Sequence, residues 1–220
     1  MPTLGYQSRD EFRDEHRGSL LREVFGPYKR DVWKRLAAEV DGRFVEGGAF
    51  HADKVVVAAG PWTVTLDTFS SGGEQPTTYT RLRAPFVNAD GLRFTVFRAH
   101  VFTGIAQALG FQDIEIGDAR FDPNFVIKGN NERQIRRLFA NPTLRDLLHA
   151  QPHVHFTVRD DEGWFGNQFP DGVDELYFRA AGTIKDLDRL NALFDLFAET
   201  LNTLCHIGSA YEEDPGITLK

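Results

Sequence analysis

Between Arg43 and Arg98 the chain repeats one pattern, and that pattern limits the fold more than any other feature of the sequence. Trp62, Val64 and Leu66 alternate with Thr63, Thr65 and Asp67, and Leu82, Ala84 and Phe86 alternate with Arg81 and Arg83. Successive side chains of a strand point to opposite faces, so a period of two marks strands with one apolar and one polar face. One-sided strands of this kind pair antiparallel, with one face on a core and the other wet. Five segments share the texture: RFVEGGAF, KVVVAAG, WTVTLDTF, TTYTRLRAPF and LRFTVFR, divided by clusters of Gly, Pro, Ser, Asn and Asp. The run at 70–76, SSGGEQP, is too short for an interdomain linker and reads as a hairpin tip.

Helical periods flank this β-rich stretch. Ser8 and Glu11 form a capping box ahead of a charged helix over about 9–25, which Gly26-Pro27 ends. A second helix over about 28–41 carries Tyr28, Val32, Leu36 and Val40 at i,i+4 spacing and stops at Gly42, so the two read as an N-terminal helical hairpin. HVFTGIAQAL (100–109) reads as a short helix. In the stretch from Asp113 to Phe139, Ile114 and Ile116 oppose Asp113 and Glu115. Phe125 and Ile127 then make a strand, and Gly129-Asn130-Asn131 opens a basic helix with Ile135, Leu138 and Phe139 inward. Asn141-Pro142 is a cap followed by proline at the first helical position. HVHFTV (153–158) and Glu175–Ala180 read as strands around a long turn at 160–172. Ile184–Ile207 is a helix with Leu187, Leu190, Phe194, Phe197, Leu201 and Leu204 in one stripe and Gly208 as its C-cap. The acidic tail AYEEDPGITLK is expected to be loosely held.

The fold class that follows is α+β, as one domain over 1–220. A mostly antiparallel sheet is covered on one face by the long C-terminal helix and the short helices of 131–150, and the helical hairpin of 1–42 packs at one edge, separable as an appendage. A chain of this length buries roughly 70–75% of its unfolded surface. Phe outnumbers Tyr and Trp, 19 against 5 and 3. Phe has no polar handle, so this bias belongs to a core before a binding face.

The formal charge of −7 argues against general nucleic-acid binding, which needs a basic surface. The one cysteine, Cys205, lies in a helical stripe and leaves no intrachain disulfide or cysteine zinc site. No apolar run approaches the roughly 20 residues of a membrane span, and the start carries no signal-peptide segment. A cytoplasmic protein without an integral membrane segment and without a cofactor is expected.

Several groups of residues bear chemistry. Asp113, Glu115, Asp118 and Asp122 could hold a hard cation or supply an acid/base pair, although Asp118 and Asp122 also read as turn residues. His153 and His155 share one strand face and could ligate a metal given a third ligand. Lys128-Gly129-Asn130-Asn131 at a helix start, beside Arg133, Arg136 and Arg137, could bind an anion. Asp160, Asp161, Glu162, Asp171, Asp174 and Glu175 form an acidic run without Lys or Arg between them, a pattern usual in solvated turns. Trp164, Phe165 and Phe169 in the same loop are candidates for contact with a partner. No nucleophile elbow, dinucleotide fingerprint or H-E-x-x-H is present.

The run F-D-P-N-F-V-I-K-G-N-N (121–131), then a basic helix, Leu-Phe-Ala, a second short helix and a strand, resembles a family of uncharacterised bacterial proteins. Many of these are membrane-anchored, and their soluble part carries a similar strand–helix series. The likeness covers about Tyr79 to Leu204, and this chain departs from it in having no membrane segment. The resemblance implies no activity, and no functional residues come with it. The sequence therefore points to a soluble bacterial protein that serves as a non-catalytic binding or scaffolding module, meeting a protein partner or a second copy of itself. The alternative is a metal-dependent hydrolase using the acidic cluster or the histidine pair.

Overall fold

The computed structural model describes residues 28–48, 52–99, 112–160 and 169–219. In chain order the elements are α1 (Lys29–Glu39), β1 (Arg43–Val45), β2 (Lys54–Ala59), β3 (Trp62–Ser70), β4 (Thr78–Val87), β5 (Phe94–Arg98), β6 (Gln112–Asp113), β7 (Phe125–Gly129), α2 (Glu132–Phe139), α3 (Pro142–His149), β8 (His155–Arg159), β9 (Val173–Ala181) and α4 (Leu187–Ile207). The strands among the described residues form a single sheet in the order β1-β2-β3-β4-β9-β8-β5-β7-β6. Every pairing is antiparallel. The alternation in the sequence thus gives the sheet its sense, and the α+β class holds.

The order joins a meander, β1 to β4, to a second group, β9-β8-β5-β7-β6, whose neighbours are not all consecutive. β1 to β4 run consecutively, and β4 then pairs with β9, which brings Val173–Ala180 alongside Thr80–Val87. The β2–β3 hairpin turns on Gly60 and Pro61, with Gly60 at φ 63°. That is the positive dihedral a two-residue hairpin needs at its first loop position. Pro85 lacks an N–H but lies past Arg83, the last β4 residue to pair with β3, so β4 has one neighbour there.

All described helices lie on the same apolar side. Leu66, Leu82, Phe86, Phe156 and Phe178 from the sheet are fully buried against Ile135, Leu138, Leu144, Leu190, Phe197 and Leu201 from the helices. Phe94 meets Phe139 edge-on at 5.7 Å, and Phe156 meets Phe197 in the same way at 5.7 Å. The phenylalanine bias is therefore spent in the core. The Asp186 side chain caps α4 by accepting the N–H of Arg189, and Gly208 closes it at φ 82°. α1 packs at the β1–β2 edge, where the indole N–H of Trp33 donates to the carbonyl of Ile184 at 3.2 Å.

Two expectations need correction. The acidic tail is held at its two ends, where the N–H of Tyr211 donates to Val87 O at 3.1 Å and Leu219 is buried, while 212–214, 216 and 218 between them are exposed. Backbone pairing beside β4 and one apolar anchor hold what its charge alone predicts to be free. The polar side of the sheet is not a wet face at its centre, where Thr65, Asp67, Arg83, Thr157, Glu175 and Tyr177 are all buried.

Other expectations are narrowed. Of the strand expected over Arg43–Phe50, the described residues form β1 over Arg43–Val45, with 49–50 outside them, and the acidic strand is the short β6. The first helix of the N-terminal hairpin, at about 9–25, and the helix at 100–109 lie outside the described residues. No helix among the described residues is long and apolar enough to cross a membrane.

Candidate binding face

Cross-strand partners share a face, so the registers define one polar row running across the whole sheet. It passes Arg43, Val56, Thr65, Arg83, Tyr177, Thr157, Thr95, Lys128 and Asp113 from edge to edge. Two residues along the same strands lie Lys54 on β2, Asp67, Arg81 and Arg179 on one side of the row, and Glu175 and Arg159 on the other. Among the described residues this face carries seven cations (Arg43, Lys54, Arg81, Arg83, Lys128, Arg159, Arg179) and three carboxylates (Asp67, Asp113, Glu175), a surplus of four positive charges. The whole chain carries −7. The separation of charge is built by strand parity.

At the centre the charges are paired and dehydrated. Asp67 accepts from Arg81 Nη2 and from Arg83 Nη2, each at 3.0 Å, so one carboxylate bridges two guanidiniums. Glu175 accepts from Arg159 Nε at 2.7 Å, and the Arg159 guanidinium lies 3.7 Å from the centre of the Tyr177 ring. Breaking one partner out of such a buried pair costs about 3–5 kcal/mol, because the other charge stays buried. Burial pushes the Glu175 carboxyl up to about 7 even with Arg159 and Arg83 close by. Burial, with Arg179 and Arg159 nearby, pushes His155 down to about 4. Glu175 Oε1 and His155 Nδ1 have no hydrogen-bond partner among the described residues.

The flank of the face is less buried and aromatic. Phe69 and Tyr79 stack at 5.2 Å across β3 and β4, with the Arg81 guanidinium 5.0 Å over Phe69 and that of Arg179 5.5 Å over Tyr79. Cations layered on rings in this way present flat, positively charged platforms. The chemistry available is recognition of carboxylates or similar anions. Among the described residues the face shows no arrangement of nucleophile, base and orienting group.

Of the residues singled out from the sequence, Asp113, Lys128, His155 and Glu175 lie on this face, and the other described ones lie elsewhere. Asp122 accepts the backbone N–H groups of Ile116, Gly117 and Asp118 at 2.9–3.0 Å. Asp118 accepts those of Arg120 and Phe121 and pairs with Arg145 at 3.3 Å. Those backbone bonds, Phe121's above all, hold the Asp118 carboxyl below its ordinary value. Asp113 pairs with Lys128 at 3.1 Å, and Glu115 is exposed. The structure does not bring these four carboxylates together: two are consumed by their own turn and one by a neighbouring strand. No group of three or more His, Cys, Asp and Glu among the described residues could hold a metal ion. His153 is exposed ahead of β8, while His155 opens that strand with its ring edge-on to Tyr177.

Phe169 is buried, and Trp164 and Phe165 lie outside the described residues. The Lys128–Asn131 loop is structural. Asn131 caps α2 through the N–H of Gln134, and the Asn130 side chain accepts from the N–H of Arg93 and donates to Gly91 O. In the acidic run, Asp160 and Asp174 pair with Arg93, and Glu175 pairs with Arg159. The residues that sequence reasoning passed over are Arg159, Tyr177 and Arg179, and Glu175 was read only as part of an acidic run. The alternation E-L-Y-F-R was a signal for them, read only as a returning strand.

No family model matches the chain, and no curated protein does. Among solved structures, that of the mycobacterial trehalose monomycolate transport factor A, TtfA, is similar over 80% of this chain and 95% of its own, with a TM-score of 0.43 at 12% identity. A likeness of that degree assigns neither a family nor an activity.

Proposed function

We propose that this chain is a non-catalytic binding module that engages an acidic partner through the polar face of its sheet. One observation carries the reading: the face gathers a surplus of positive charge, with aromatic rings under its arginines, on a molecule that is acidic as a whole. Charge sorted against the net charge of a protein steers and orients association. Fluorescein-labelled poly-glutamate, followed by anisotropy, is the probe. We expect binding that weakens at least ten-fold between 50 and 300 mM NaCl, as screening shortens to within a few ångströms, and that is lost in R81E/R179E. The same charge change in R133E/R136E, on the exposed face of α2, leaves binding intact. Equal effects from the two double variants would refute the face.

A further inference from the structure

The geometry points to a docking groove over β1–β4 for a peptide segment, acidic at its start and apolar after it, whose built-in occupant is residues 212–219 of this chain. The inference rests on reading the sheet face as a surface for acidic partners, and it states the form that such a partner takes.

The segment crosses the face of the sheet and encloses with it a groove of about 350 Å³, floored by Arg43, Lys54, Val56, Thr63, Thr65 and Pro85. The charged residues of the floor are both cations. The segment arrives through Glu212 and Glu213, and Asp214 lines the groove with Arg43 and Lys54. Occupant and floor are therefore complementary in charge.

The exposure of the segment alternates: Asp214, Gly216 and Thr218 are exposed, Pro215 and Ile217 are half-buried, and Leu219 is buried at 7%. The segment turns at Gly216, whose φ is 69°, and its apolar side chains that line the groove are Ile217 and Leu219.

The attachment is light. Among the described residues, 212–219 is tied to the rest of the chain by one hydrogen bond, from Lys54 Nζ to Leu219 O at 3.4 Å, while the N–H of Gly216 donates to Asp214 within the segment. No ladder joins it to a strand, so lifting it breaks no sheet pairing. Just before it, Ser209 and Tyr211 are fixed by backbone bonds to Ala89 and Val87. The division leaves a fixed root and a detachable strap. A partner segment of matching chemistry takes the strap's place by competing for the floor.

The test uses the full chain, a fluorescein-labelled peptide YEEDPGITLK, and the variant I217D/L219D, which loosens the strap. We expect the peptide to bind I217D/L219D at least ten-fold more tightly than the unaltered chain. Adding R43E/K54E lowers that affinity at least ten-fold, and so does replacing the three acidic residues of the peptide by lysine. Heteronuclear NMR spectra of the unaltered chain, which do not depend on the variant folding, should show the resonances of 212–219 shifting as peptide is added. Peptide that leaves those resonances unmoved, or that binds folded I217D/L219D regardless of R43E/K54E, overturns the proposal. A concentration-dependent dimer of the unaltered chain that exchanges 212–219 between copies also overturns it, since the groove then serves self-assembly. Failure of the peptide while poly-glutamate still binds through Arg81 and Arg179 removes the groove and leaves the reading of the face standing.

Discussion

Glu175 and His155 face the same side of the sheet and pull stability in opposite directions as the pH changes. The folded state holds the Glu175 proton more tightly than the unfolded chain does, since its carboxyl rises from an ordinary 4.5 to about 7. Its contribution is full below about pH 4.5 and is lost as the pH climbs through 7. The folded state holds the His155 proton less tightly, since the ring falls from 6.5 to about 4. That contribution is full above about pH 6.5 and is lost as the pH drops through 4. Each slope is about 1.4 kcal/mol per pH unit, so between 4.5 and 6.5 they cancel. Relative to the unaltered protein, E175Q should gain stability as pH rises across 4.5–7, and H155Q should lose it across 4–6.5. Urea denaturation at half-unit pH steps reads both, and parallel curves for all three proteins would show that neither group is perturbed. A different residue, Gly129, predicts a packing effect. A Cβ there meets Ile135 Cδ1 and lies 2.7 Å from the backbone oxygen of Arg93, so G129A should cost about 2 kcal/mol by thermal melt, and I135A should recover part of it. In the sequence Gly129 reads as a loop glycine at a helix start. Its close approach exists only because β5 pairs beside it, which no local pattern records.

Among the elements, α3 shows how one side chain can serve two helices. The Asn141 carboxamide oxygen accepts the N–H groups of Thr143 and Leu144, while its nitrogen donates to Thr203 on α4 at 2.9 Å and to Glu199. A cap alone is worth about 1 kcal/mol. N141A should therefore cost about 2 kcal/mol, and N141D should keep the cap but lose the tie to Glu199, falling between the two in melting temperature. The cap was legible, because Asn-Pro before a helical period is a local signal. So were α4 with its Gly208, α2 with its Asn131, and the antiparallel sense of the strands. The polar face was legible as a face but not as a buried one. Alternation at Arg81 and Arg83 says which way a side chain points, and nothing local says what will lie over it. Glu175 was hidden for the same reason. In sequence it ends an acidic run, and only the β8–β9 register sets Arg159 opposite it.

At the scale of the whole molecule, the β4–β9 seam joins the β1–β4 meander to the other five strands in one sheet. α1 reinforces it through the bond from Trp33 to Ile184, which ties the β1–β2 edge to the approach of α4. In a W164F background the fluorescence of Trp33 and Trp62 reports on the α1–β3 side, while far-UV circular dichroism reports on all the elements. We expect their urea transitions to coincide. A fluorescence change that comes first would mark β1–β4 as a separately melting unit.

The seam also has a consequence for the nascent chain. The partner of Val87 is Val173, 86 residues further on. As the ribosome extends the chain, β1 to β4 can close on one another at once, but the outer edge of β4 waits bare until β9 has been made. A bare edge offers a template to any passing strand. β9 ends that exposure at one stroke, setting Val173–Ala180 against Thr80–Val87.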